Sequence, residues 1–278
     1  MDTTTFDRAA ARLHAIRIAE GFGPSAGLAA EPEPTALAAL ALDDADARAW
    51  LEEHQRADGG FDLLAGRRVT NDAATALAAL ALPTGGARER ALDHLVSHRA
   101  QATSASPEVP HDPDTRGWGW TPDTFGWVEP TSRAVLALQL LRPSATAEIQ
   151  DGLAVLADRE CPGGGWNYGN GIVYDTPLPP YAQTTASALI GLQGALPDLH
   201  ERGMTALATL WSEERAGGLS LAVSLAAFRL GGRPETSAVE QALSDELERT
   251  DLLGDVVALA WTALAAGPGL EHLRRAGA

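Results

Sequence analysis

The sequence predicts an all-α fold, on three observations. Alanine and leucine dominate a chain with few aromatic residues and no long Val/Ile runs, a composition that favours helix over strand. Segments that are apolar on every side alternate with segments that are amphipathic at helical period. A turn-plus-helix unit also recurs along the chain, as it does where one supersecondary element is stacked several times.

Residues 5–20 are expected to form an amphipathic helix with Phe6, Ala10, Leu13, Ile16 and Ile18 inward. The first fully apolar helix follows at 34–42. Glu33-Pro34-Thr35 opens it, with Pro setting φ and Thr or Glu available to the free amides of the first turn. An amphipathic helix at 44–56 turns Trp50 and Leu51 inward and leads to the turn Asp58-Gly59-Gly60-Phe61. Apolar 72–82, opened by Asn71-Asp72-Ala73, then pairs with amphipathic 86–100, whose inward residues are Ala91, Leu92, Leu95 and Val96. The same pairing predicts 131–141 with 146–159, 183–194 with 198–213, and 219–230 with 235–250. The last apolar helix is 255–266, and the tail 270–276 is expected to cap the end.

An all-apolar helix fits an inner ring covered on both sides, and an amphipathic one fits an outer ring. The architecture expected is therefore a single α/α toroid domain over 1–278, with about six helical hairpins. A linear solenoid is the alternative, and it would want polar capping repeats. The turns repeat as well. Gln55 to Phe61 aligns with Glu160 to Trp166, with Asp114 to Trp120, and loosely with Glu213 to Leu219. Inner-helix starts are spaced 38 residues from 33 to 71, 58 from 71 to 129 and 54 from 129 to 183. The extra residues form two loops, about 101–117 and 167–182, expected side by side at one end. Long loops of this kind are where function is expected.

The net charge of −16 excludes a phosphate-backbone partner, since no basic face is present to release counterions. All 21 strong bases are arginine, which reads as coding bias first. One cysteine allows no internal disulfide and fits a reducing compartment. The first residues carry acids and lack an apolar h-region, so no signal peptide is expected, and no apolar run approaches the ~20 residues of a membrane span. A cytoplasmic location follows as the simplest expectation.

The units Gln55…Gly59-Gly60-Phe61 and Gly164-Gly165-Trp166, with inner segments such as Glu129-Pro130-Thr131…Leu136-Ala137-Leu138, resemble the squalene–hopene cyclase and prenyltransferase repeat family over most of the chain. The resemblance implies an α/α toroid and an isoprenoid substrate in a central cavity. It also implies acid-initiated carbocation chemistry, as in a terpene cyclase or isomerase. The family's Asp-x-Asp-Asp-Thr motif is absent. The aligned residues are Val69-Thr70-Asn71-Asp72-Ala73, with the amide of Asn71 in the proton donor's place. The zinc ligands of the protein prenyltransferases are also missing, so no zinc is expected. Cys161 sits in a glycine turn, and no histidine falls on a predicted inner helix.

Glu129 is the leading general-acid candidate, at an inner-helix start among Trp118, Trp120 and Trp127, where burial would raise its pKa. The structural alternative is a helix-dipole acid paired with Arg133, and the shared Glu-Pro-Thr at Glu33 favours it. Asp112 and Asp114 are a second catalytic candidate, able to hold Mg²⁺ if the substrate is a diphosphate, or to shape a turn. Trp118, Trp127, Tyr168 and Tyr181 lie outside the repeat consensus and are candidates for binding an apolar substrate or stabilising a cation. Asn167 and Arg133 complete that substrate-binding set. Trp120 and Trp166, aligned with Phe61, read as packing residues.

Two functions from different classes follow. One is a terpene cyclase or isomerase-like enzyme. The other is a non-catalytic toroid holding a hydrophobic ligand or a protein partner, alone or in a homo- or hetero-oligomer.

Overall fold

The computed structural model describes residues 3–102, 104, 106, 108–213 and 217–276. Positions 103, 105 and 107 of the first long loop, and 214–216 of the turn aligned from Glu213 to Leu219, lie outside the described residues. The fold is all-α. Twelve helices are described: α1 (Thr3–Ile16), α2 (Pro32–Leu42), α3 (Ala45–His54), α4 (Asp72–Ala81), α5 (Gly86–Ser97), α6 (Val128–Leu141), α7 (Thr146–Asp158), α8 (Ala182–Leu192), α9 (Pro197–Glu213), α10 (Gly218–Leu230), α11 (Thr236–Thr250) and α12 (Val256–Ala266). Short 3₁₀ segments at Asp251–Gly254 and Pro268–Leu273 flank α12. One two-residue hairpin, β1 (Ile172–Val173) with β2 (Thr176–Pro177), interrupts the second long loop. Among the described residues no helix is long and apolar enough to cross a membrane.

The even-numbered helices pack in a cycle: α2 on α4, then α6, α8, α10 and α12, which returns to α2. Each odd helix packs outside a neighbour, α3 on α2, α5 on α4, α7 on α6, α9 on α8 and α11 on α10, while α1 lies on α12. The expected tail segment begins at Pro268, with Leu270 and Leu273 buried and contacts to α2 and α12.

The even helices are buried all round. Across 36–41, 73–79, 134–138, 186–189, 222–228 and 260–265 no residue is more than 7 % exposed. Four consecutive residues already sample every face of a helix, so the face toward the middle of the cycle is as closed as the face outward. Six helices at about 8–10 Å spacing leave a central space roughly one helix wide. Here side chains fill it.

A repeated clamp ties each turn to its helix. The backbone N–H of Phe22 donates to Thr35 Oγ1 at 3.0 Å, Phe61 to Thr75 at 3.0 Å, Trp118 to Thr131 at 3.1 Å and Trp166 to Thr185 at 2.9 Å. Each threonine is the fourth residue of its helix, and the residue before each helix, Glu31, Asn71, Trp127 or Tyr181, donates its N–H to the same aromatic residue's carbonyl. The indoles of Trp118 and Trp166 reach outward to donate to Leu95 O at 2.9 Å and Leu156 O at 2.7 Å. Glycines on outer helices make room: a Cβ at Gly152 would lie 2.9 Å from the Trp118 ring, and one at Gly203 would lie 2.6 Å from the Trp166 ring.

This register corrects the sequence reading at one point. Trp118, not Trp120, occupies the place of Phe61 and Trp166. It is fully buried between inner and outer helices, a position that does not match the substrate-binding place expected for it. Gly117-Trp118-Gly119-Trp120 offers two equally spaced tryptophans, and only the distant threonine decides between them. Three outer helices also end earlier than expected. The chain turns at Ala19 into an Ile18–Gly21 bridge. Gln55 leaves α3 to donate its side-chain amide to Gly59 O and Ala87 O. Ala100 and Gln101 donate backbone N–H groups to Gly117 O and Thr124 O instead of continuing α5.

Replacing Thr131 by Val keeps the shape but leaves the buried N–H of Trp118 unpaired. Stability should fall by about 1–3 kcal/mol in chemical denaturation, and a variant as stable as the parent would remove the clamp from the list of fold determinants.

Candidate functional site

The two long loops meet at one end of the cycle. Tyr174 N–H donates to Glu108 O at 2.6 Å and Val128 N–H donates to Tyr168 O at 3.1 Å. Beside them lies an open groove of about 250 Å³ lined by Phe125 and Trp127, just before α6, and by Tyr168, Val173, Leu178 and Tyr181 of the second loop, with Asn167 at its base. Phe125 stacks on Trp127 with ring centroids 4.7 Å apart, and Tyr168 leans on Tyr181 at 5.4 Å. Tyr168 is 51 % exposed, Tyr181 40 % and Tyr174 73 %, and these are all the tyrosines of the chain.

The groove is held from below. Buried Asn167 accepts from Gly169 N–H at 2.9 Å and donates to Asn170 O at 2.7 Å, while Arg159 donates to Asn170 Oδ1. Asn167 therefore clamps its own loop, and Gly169 fits against the Trp127 ring, where a Cβ would already sit at 3.4 Å. Tyr174 and Asp175 take positive φ at the tip of the β1–β2 hairpin, the arrangement of a primed two-residue turn.

Glu129 is buried elsewhere. Its carboxylate accepts from Arg133 Nη2 at 2.6 Å, and Arg133 Nη1 donates at 2.8 Å to Glu33, a hundred residues earlier. The Arg133 guanidinium lies 5.7 Å from the Trp120 ring. Two carboxylates thus share one buried arginine across the N-terminal ends of α2 and α6. Burial pushes the Glu129 pKa up, Arg133 opposes that, and the charge of Glu33 adds to it. Arg133 is wholly engaged in this triad and lies apart from the groove, so its position does not match the substrate-binding role expected for it.

Asp112 and Asp114 are exposed. Asp112 Oδ1 accepts from Asp114 N–H at 2.9 Å, and Asp112 N–H donates to Asp158 at 3.1 Å, which is the turn geometry of the alternative reading. Cys161 is buried, and that burial raises its thiol pKa, which leaves it unreactive.

The structure thus brings Trp127, Asn167, Tyr168 and Tyr181 together and leaves Trp118, Arg133, Glu129 and the Asp112/Asp114 pair outside that set. Sequence reasoning missed Phe125, Val173 and Leu178 in the groove. It also missed Glu33 as the second partner of Arg133, and a cluster of Asp58, His94 and His98 on the α5 side. The His-x₃-His spacing on a predicted helix was a legible signal for the last of these.

Compared with known protein families and with curated proteins, the chain matches no family model and no curated sequence.

The triad makes a test of roles. Arg133→Ala leaves two carboxylates without their cation and should cost about 3–5 kcal/mol. Glu129→Gln keeps the hydrogen bond and relieves the crowded charge. Because the folded-state pKa of Glu129 is raised, the folded protein binds the proton more tightly than the unfolded chain. That contribution is full at low pH and is lost as pH rises through the raised pKa. Relative to wild type, Glu129→Gln should therefore gain stability as pH rises above the ordinary carboxylate range. Denaturation curves with no such divergence would show that Glu129 titrates normally.

Proposed function

We propose that this chain is a non-catalytic α/α toroid that binds a protein partner through the aromatic groove that its second long loop forms with Phe125 and Trp127. The closed cycle of helix contacts supports the toroid reading of the all-α fold. The observation that carries the function is a contrast: the middle of the cycle is packed with side chains, whereas the loop end exposes a preorganised groove of Trp and Tyr. At about 250 Å³ the groove is smaller and more open than the ~300–1,000 Å³ of small-molecule sites. Tyr and Trp are also the residue types that dominate protein-interface hot spots. The surroundings are acidic, with Glu108, Asp112, Asp114 and Asp175 exposed on the same two loops and a chain charge of −16. The partner segment is accordingly an apolar or proline-containing anchor flanked by basic residues, since charge complementarity sets on-rate and choice of partner.

The acid-initiated isoprenoid reading keeps one observation in its favour, the raised pKa of Glu129. Its carboxylate is occupied by Arg133. Incubation with linear isoprenoids and their diphosphates, with and without Mg²⁺, tests that reading directly. A cyclised product, or release of diphosphate, would restore it over the binding reading.

Selection of random peptides on the folded protein tests the groove. The enriched peptides should carry Pro or aliphatic anchors with neighbouring Arg or Lys. The pair Tyr168→Ser and Tyr181→Ser should weaken them by about 30-fold or more, as loss of a hot spot does, without moving the melting temperature. Peptides that bind the double variant as well as the parent would refute the proposal.

A further inference from the structure

The end of α5 carries a feature independent of the groove. His94 and His98 lie four residues apart, so both rings fall on one side of the helix end, the spacing with which a helix presents two imidazoles to a single ion. Asp58 joins them from the Gly59-Gly60 turn. One donor atom from each of the three lies within 4.8 Å of the others. His94 is 1 % exposed, while Asp58 and His98 are exposed.

The second-layer contacts are those of a ligating set. His94 Nδ1 hydrogen-bonds the Asp58 carbonyl oxygen at 3.3 Å, a contact that an ion at this nitrogen would replace, and lies 3.9 Å from Asp58 Oδ1. Its Nε2 is buried without a hydrogen bond, and the nearest acid behind it is Asp72, with Oδ1 at 3.5 Å. An imidazole with one nitrogen toward a carboxylate behind it and the other toward an open donor cluster is the usual outer-shell arrangement of a metal-bound histidine. His98 uses Nδ1 toward His94 O at 3.2 Å and Ser97 Oγ at 3.2 Å, which directs its Nε2 lone pair away from the helix. The Asp58 carboxylate accepts from Gly60 N–H at 3.1 Å and from Arg56 Nε at 3.3 Å, while Arg56 holds its closer partner, Asp62, at 2.8 Å.

The cluster opens onto a cavity of about 420 Å³ that Asp72 and Asp123 also line. Three aspartates and two imidazoles line it with a single guanidinium, that of Arg99, a balance that favours a cation over an anion. We propose that Asp58, His94 and His98 bind a divalent cation of the zinc type, with an open coordination position facing this cavity. Imidazole with carboxylate suits Zn²⁺, Co²⁺ or Ni²⁺, whereas Mg²⁺ and Ca²⁺ take oxygen ligands. Three protein ligands leave the fourth tetrahedral position to water or to a ligand. The two rings are stacked, 3.9 Å apart and 9° from parallel. A four-coordinate ion at about 2.0–2.2 Å from its ligands therefore requires exposed His98 to rotate, while buried His94 stays fixed.

The test uses untagged, chelator-treated full-length protein titrated with ZnCl₂ by calorimetry and with CoCl₂ by visible absorption. One equivalent should bind per chain, and Co²⁺ should give the intense bands of a four-coordinate site. His98→Ala and Asp58→Asn should each weaken binding at least about tenfold, with unchanged metal-free melting. His94→Ala is a poorer probe, because the ring packs against Gly60, where a Cβ would lie only 2.7 Å from His94 Cε1. Binding well below one equivalent, or variants that bind as the parent does, would overturn the proposal.

Discussion

The fold depends on one contact made four times: a threonine hydroxyl on the first turn of an inner helix accepts the backbone N–H of the aromatic residue that ends the preceding turn. The threonine position is otherwise apolar and fully buried. Its hydroxyl is tolerated there because it answers a buried donor, and an unmet donor would be costly. The same turn delivers an aromatic ring between inner and outer helices, so a single hydrogen bond sets both the entry angle of the inner helix and the spacing of the two layers.

Alanine decides what that scaffold can hold. Small side chains let six helices approach closely, and the leucines, valines and larger rings between them close the remaining space. A cycle of helices packed in this way leaves little room along its middle for a long isoprenoid. The inserted loops stand on a base of clamped turns.

Much of this was legible in the sequence, because an all-apolar segment and an amphipathic one differ in composition at helical period. Helices α2, α4, α6, α8, α10 and α12 fall within three residues of their expected bounds for that reason. The meeting of the two loops also followed from spacing alone. Contacts between residues far apart in the chain were not legible. Glu33 and Arg133 look like two unrelated helix-start residues until the cycle brings α2 and α6 to the same mouth. Trp118 and Trp120 are chemically identical, and the partner that separates them is thirteen residues downstream of Trp118. His94 and His98 were passed over because the search for ligands followed the inner helices, whereas the cluster joins an outer helix to a turn.

The way the cycle closes has a consequence for biosynthesis. Helix α1 packs on α12 and touches α11, so its apolar face waits for partners about 240 residues later in the chain. At about 5–20 residues per second, a ribosome needs on the order of ten to fifty seconds to deliver them. Throughout that interval Leu13 and Ala9, fully buried in the finished protein, have no surface to cover them. The nascent chain thus presents a sticky amphipathic helix early and satisfies it late, and a chaperone that holds this helix would act on one of the last contacts of the molecule to be completed.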